Sequence, residues 1–322
     1  MEHTGTPVLY AVFSLIVMAL LAVDFVLLRA SGNHRVGVRE AALWSVGWVA
    51  IAILFGGWMW WYLNGLHGEQ LANRKVLEYF TGYLLEKGLA IENVFIWITI
   101  FSYFAVPLEF QKRVLLWGVV GAILMRAVLI YLGAVLIHAY SWIFYVFGAF
   151  LLFTGVKMLL ITGQKPDLDR NPLLNWLRSH LPMTSEMHGE RFWVRKNGAW
   201  LATPLLLVLV LVEVSDLIFA LDSIPAIFAV TGDPFIVFTA NTFAILGLRA
   251  MYFLLADTAD RFHLLGYGLG VIVILVGVKM LIMDFYKVPI PVMLGVVASI
   301  LIVSVIASLM LKPAVTPEQH QR

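Results

Sequence analysis

Apolar runs of about 20 residues recur along this chain with mostly short polar breaks, and no other feature restricts its fold so tightly. Nine such spans are predicted, near 7–29, 40–63, 77–104, 114–137, 140–161, 200–230, 235–256, 264–286 and 289–311. Each is long enough to cross a hydrocarbon core of about 30 Å as helix, which satisfies its own backbone groups where no water can. Composition agrees. The chain is 61% hydrophobic and 13% charged, against about 45–50% and about 25% in soluble domains. The expected fold is therefore all-α, a polytopic membrane protein of about nine transmembrane helices. The absence of cysteine excludes disulfides, thiolate metal ligands and thiol redox chemistry of the chain's own. A net charge of +2 without a basic run points to no nucleic acid. The N-terminus has neither a basic n-region nor a small-residue cleavage site, so the first span is expected to remain as a helix.

The chain divides into 1–76 with two N-terminal helices, 77–161 and 200–287 with three helices each, and 288–322 with a last helix and tail. Between the triplets lies the longest polar stretch, 162–199. Within it, PLLNWLRSHL (Pro172–Leu181) sets Leu173, Leu174, Trp176, Leu177 and Leu181 near one face of an interfacial helix. Asn197-Gly198, flanked by strand formers, predicts a small hairpin. With the N-terminus outside, fourteen Lys and Arg fall on inside segments and three on outside ones. That bias predicts an outside N-terminus and a cytoplasmic C-terminus. WMWWY (Trp58–Tyr62) and YSWIFY (Tyr140–Tyr145) read as interfacial belts.

The two triplets repeat one another. GVKMLL (Gly155–Leu160) recurs as GVKMLI (Gly277–Ile282), and EKGLAIENV (Glu86–Val94) aligns without gaps to DLIFALDSI (Asp216–Ile224). Glu86 then matches Asp216, Glu92 matches Asp222, and Asn93 matches Ser223. One arginine, Arg126 or Arg249, stands between motif and hexamer in each copy. Three spans per copy invert the second relative to the first, so a pseudo-two-fold axis in the membrane plane is expected to bring the acidic motifs together at mid-depth.

Carboxylates in a lipid-bound segment are costly unless compensated. The candidate set for a cation is Glu86, Glu92, Asn93, Glu213, Asp216, Asp222 and Ser223. Its donor atoms are all oxygen, which suits Mg²⁺, Ca²⁺ or Mn²⁺ over Zn²⁺ or copper. Acids six residues apart differ by about 240° on a straight helix, so a helix broken near Gly88, or loosened at the Leu221 carbonyl by Pro225, is the expected means of convergence. The alternative is a purely structural network in which the acids pair with buried bases. Arg126, Arg249 and Lys87 are the expected charge partners, and they leave two of the five carboxylates unneutralised, a deficit that a divalent cation or protons would fill. Lys157 and Lys279 either snorkel or join that network. Asp24 is expected to reach water at the cytoplasmic end, Asp284 to be interfacial, and Asn241 to bond across helices or join the path.

These stretches, with LVEVSDLIFALDSIPAIF (Leu211–Phe228), GLRAMYF and the paired GVKML, resemble the TerC family, and within it the Alx-like members, over essentially all nine spans. Glu92 departs from the aspartate expected there. The resemblance implies a bacterial inner-membrane protein related to inverted-repeat cation exporters of the LysE type. Members are linked to manganese efflux, alkaline-pH response and tellurite resistance, and an older label is membrane-bound redox modulator. The favoured function is a secondary exporter of a divalent cation, with Mn²⁺ as substrate and protons as counter-substrate. No permanently bound cofactor is expected, and the lipid bilayer is the other partner. An enzyme is not expected, since no GxGD or HExxH motif occurs, and a redox role lacks cysteine, haem ligands and a flavin fingerprint. A stress-response adaptor contacting partners through 162–199 is the remaining alternative.

Overall fold

Eleven helices and one hairpin make up the computed structural model, which describes residues 4–30, 37–140, 142–161, 171–184, 186–196, 198–256, 262 and 264–311. In order they are α1 (Pro7–Ala30), α2 (Val38–His67), α3 (Glu69–Tyr103), α4 (Leu108–Ala139), α5 (Ile143–Ile161), α6 (Pro172–His180), β1 (Trp193–Lys196), β2 (Ala199–Ala202), α7 (Pro204–Phe228), α8 (Pro234–Leu246), α9 (Leu248–Leu255), α10 (Leu265–Leu281) and α11 (Ile290–Met310). The stretch 162–170 and the tail 312–322 lie outside the described residues.

Seven of the described helical segments are long and apolar enough to span a membrane, with α8 and α9 counted as one. α10 is apolar but has only 17 residues, about 25 Å of rise. α3 is the longest helix at 35 residues, but its Glu, Lys and Arg side chains keep it outside that apolar set. The chain is thus a polytopic all-α membrane protein, with each predicted span occupied by helix.

Helix starts follow local chemistry. Pro7, Pro204 and Pro234 open α1, α7 and α8, where a missing N–H costs nothing and the fixed φ favours entry. Asp233 caps α8 by accepting from Phe235 N at 3.1 Å. Asn171 caps α6 by accepting from Leu173 N and Leu174 N. α6 buries Leu174 and Leu177 and leaves Trp176 exposed, so its apolar stripe is narrower than the expected face. β1 and β2 pair in the predicted hairpin register, Lys196 opposite Ala199. Gly198 turns it at φ 83°, a left-handed conformation that glycine adopts without strain. Asn197 itself is outside the described residues.

The broken helix is not where the sequence places it. α3 runs unbroken through Gly88, and α7 carries Pro225 inside its last turn without interruption. Gly88 serves close packing instead, for a Cβ there would meet Leu269 at 3.1 Å and Leu301 at 3.2 Å. The interruption falls at Gly247, between α8 and α9. There Lys87 Nζ donates to the Ala244 carbonyl at 3.3 Å, supplying a partner at a helix end that has none of its own.

Packing joins the two triplets. α5 and α10 make the most extensive helix–helix contact, followed by α3 with α8 and α4 with α7. Exchanging the triplets maps this pattern onto itself: α3 with α8 becomes α7 with α4, and α5 with α10 is unchanged. Equivalent helices run in opposite directions where they touch. Gly82 of α3 lies against Ile227 of α7, while Asn93 further along α3 bonds to Asp216 earlier on α7. In α5 and α10, Gly148 faces the Gly277 carbonyl and Gly155 faces the Gly270 carbonyl. Glycine lets the two backbones approach within lipid, where close packing drives association.

Candidate cation site at the junction of the triplets

Seven residues separate Glu86 from Asn93, and the same number separates Asp216 from Ser223. That spacing returns a helix to nearly the same face, so each helix presents an acid and a neutral polar group in one stripe. α3 and α7 cross with the stripes facing, and the acid of one helix lies level with the neutral group of the other. All four residues are almost fully buried.

Arg126 of α4, 1% exposed, closes the arrangement. Its Nε and Nη2 donate to Asp216 Oδ2 and Oδ1 at 3.1 and 2.8 Å, a bidentate pairing of matched geometry. Its Nη1 donates to Glu86 Oε1 and reaches Ser223 Oγ at 3.3 Å. Asn93 Nδ2 donates to Asp216 Oδ1 at 2.9 Å. One guanidinium therefore ties a carboxylate from each triplet. Satisfaction stops there: Glu86 Oε2 and Asn93 Oδ1 are buried with no hydrogen-bond partner.

Beside this knot lies a cavity of about 10 Å³, lined from α3 by Glu86, Leu89, Ala90, Glu92 and Asn93, from α7 by Phe219, Asp222 and Ser223, and by Arg126 and Met158. That is room for about one water-sized occupant. Glu92 and Asp222 face the cavity from opposite helices. Thr154 of α5 hydrogen-bonds Asp222, and Lys157 of the same helix lies near it. Leu89 and Phe219 were not singled out from sequence, although the ungapped alignment already equates them.

Of the seven candidate residues, five line the cavity: Glu86, Glu92, Asn93, Asp222 and Ser223. Asp216 sits behind them, held by Arg126 and Asn93. Glu213 stands apart, one turn along α7, with its carboxylate against Gly121 of α4 and its Oε2 buried without a partner. Gly121 is required there, because a Cβ would overlap the carboxylate. Among the described residues, no three acidic or histidine side chains already surround one point as a finished metal cage.

Two expected charge partners are elsewhere. Arg249 Nη2 pairs with Asp24 Oδ1 at 2.6 Å, because α9 begins beyond the Gly247 break and turns it toward α1. Asp24, expected to reach water, is buried by that contact at 2% exposure. Lys87 faces the carbonyl end of α8. These reassignments enlarge the charge deficit: five carboxylates are left with Arg126 and, at the edge, Lys157. The remaining polar residues are plainly placed. Asp284 accepts from the Tyr145 hydroxyl. Asn241 is buried in α8 with neither amide atom bonded. A further buried network, unanticipated from sequence, joins Lys75, Glu78, Thr231 and Asp233 where α3 meets α8.

Comparison with known proteins accords with this architecture. The model of the integral membrane protein TerC family matches residues 71–316. The chain is 54% identical to Alx of Escherichia coli, provisionally named a membrane-bound redox modulator, over 95% of each chain. It is 44% identical to an uncharacterized membrane protein, STKORF319, of Myxococcus xanthus, over 95% of this chain and 93% of that one. No solved structure matches it. With a family match that takes in the acidic motifs, both arginines and both GVKML segments, the chain belongs to the TerC family of integral membrane proteins.

Proposed function

We propose that this chain is a secondary transporter that exports a divalent cation, Mn²⁺ in preference to its hard-cation competitors. The observation that carries the reading is the partly satisfied acidic junction. Carboxylates from both triplets, buried at Glu86 and half-buried at Glu92 and Asp222, meet at a cavity sized for one small occupant, and Glu86 Oε2 and Asn93 Oδ1 still lack partners. Groups left this way in a low-dielectric interior are costly, and a hard cation is the occupant their oxygens suit. The preference for Mn²⁺ over Mg²⁺ rests on the family resemblance, not on the donor atoms.

In this reading the N-terminus faces outside across the bacterial inner membrane, and the cation enters from the cytoplasm. Glu86, Glu92 and Asp222 take it up with Asn93 and Ser223, while Asp216 and Glu213 hold the surrounding negative charge. Rocking of one triplet against the other then opens the site outward. Protons arriving from outside displace the cation, since burial favours the neutral acid.

The name of the Alx relatives favours a second reading, a redox modulator or stress adaptor without transport. Asp222→Asn separates them. Cells expressing the variant should retain Mn²⁺ as cells lacking the protein do, whereas an adaptor should keep its partners and its phenotype. Wild-type and Asp222→Asn cells with equal Mn²⁺ efflux would exclude the transport reading.

A further inference from the structure

A carrier with buried acids faces a difficulty when empty. Protons can neutralise Glu92 and Asp222 on the return, but any carboxylate still charged is costly to move through a low-dielectric barrier, and net export requires the metal-free protein to return. Arg126 is built to meet that need. It is the base that contacts Glu86 and Asp216 among the described residues, and it does so from α4, which carries neither acid. It bridges the two triplets, and it borders the cavity that Glu92 and Asp222 line. Its repeat counterpart, Arg249, is committed to Asp24, so among the described residues Arg126 is the one arginine at the junction, with Lys157 at the edge beside Asp222.

We propose that Arg126 is a tethered substitute for the transported ion, holding Glu86 and Asp216 whenever the cavity is empty and leaving Glu86 when a divalent cation arrives. This rests on the transport reading above. Glu86 is where the two cations compete: one oxygen is on the guanidinium and the other is without a partner beside the cavity. A divalent ion bound to Glu86, Glu92 and Asp222 places positive charge next to Arg126, and repulsion drives the guanidinium back onto Asp216, where its bidentate pairing is complete without Glu86. The loaded carrier then moves with the metal as counter-charge, and the empty carrier moves with Arg126.

Two transport modes separate this role from a structural one. Net flux needs the empty carrier to return, whereas exchange of labelled for unlabelled Mn²⁺ across the membrane does not. The full chain reconstituted in vesicles should show both. Arg126→Gln should lower net flux at least tenfold and keep exchange within a few-fold of wild type. Arg126→Lys should restore net flux and bind Mn²⁺ at least threefold more tightly than wild type, since a single ammonium on Asp216 lacks the second arm with which the guanidinium also holds Glu86. Equal loss of both modes in a well-folded Arg126→Gln, or no loss of either, would overturn the proposal. Should Arg126→Gln fail to fold, the lysine variant decides: unchanged or weaker Mn²⁺ affinity counts against a competing internal cation. Wild-type vesicles showing neither mode would instead remove the transport reading, and this one with it.

Discussion

Each carboxylate at the junction is held differently, and the differences assign separate roles. Glu86 and Asp216 share Arg126; Glu92 and Asp222 face the cavity that Arg126 borders but, among the described residues, pair with no arginine; Glu213 rests on Gly121. Removing charge at Glu92 or Asp222 should therefore spare the fold and stop transport. Glu92→Gln and Asp222→Asn are expected to reduce Mn²⁺ efflux at least tenfold while the detergent melting temperature stays within a few degrees of wild type. Asp24 and Arg249 should behave in the opposite way. Breaking a buried ion pair by removing one partner costs about 3–5 kcal/mol, so Asp24→Ala should lower thermal stability sharply and leave the Mn²⁺ affinity of the surviving folded protein unchanged. The acids and their matching could be read from the sequence because carboxylates are rare in apolar spans. Of their partners, Arg126 could be read as well, but Arg249 could not, since its rotation toward α1 depends on a helix break that lies outside both aligned motifs.

At the scale of elements, α5 and α10 meet through four glycines that put backbone against backbone. A Cβ at Gly277 would lie 2.8 Å from Leu152 N and 2.9 Å from the Gly148 carbonyl, whereas at Gly57 of α2 it would meet nothing within 4 Å. Gly277→Ala is thus expected to destabilise the protein by about 1–3 kcal/mol through overpacking, and Gly57→Ala to be neutral, as thermal unfolding in detergent can test. Two of those glycines are visible in sequence as the first residue of each GVKML segment. The hexamers identify the repeat, but their function in close helix contact becomes clear only when Gly148 and Gly270, seven residues earlier, supply the reciprocal faces. The expected break at Gly88 failed for a related reason. Glycine in a helix marks either flexibility or close approach, and spacing alone does not distinguish them. Gly247, beside the half-buried Lys87 whose ammonium bonds the Ala244 carbonyl, is the true interruption.

For the whole molecule, the sequence determines much more than it locates. Apolar runs delimit the helices, and the repeat pairs the triplets, because both are written as periodic patterns in a chain that lipid forces into helix. The cavity is not legible in that way; it arises where α3, α4, α5 and α7 converge, and includes Leu89, Phe219 and Met158, which carry no polar signal. The orientation of the molecule can be checked directly because the chain has no native cysteine. His67→Cys, at the end of α2, should react with a membrane-impermeant maleimide from outside, and Lys196→Cys, in the hairpin, only from the cytoplasmic side. The claim on which the account turns is that the acidic junction carries a divalent cation through the bilayer. Flux of radiolabelled Mn²⁺ into vesicles containing the purified chain tests it most directly. Saturable flux that Glu92→Gln and Asp222→Asn each lower at least tenfold is expected; flux no greater than in protein-free vesicles, or equal in wild type and both variants, would contradict the claim.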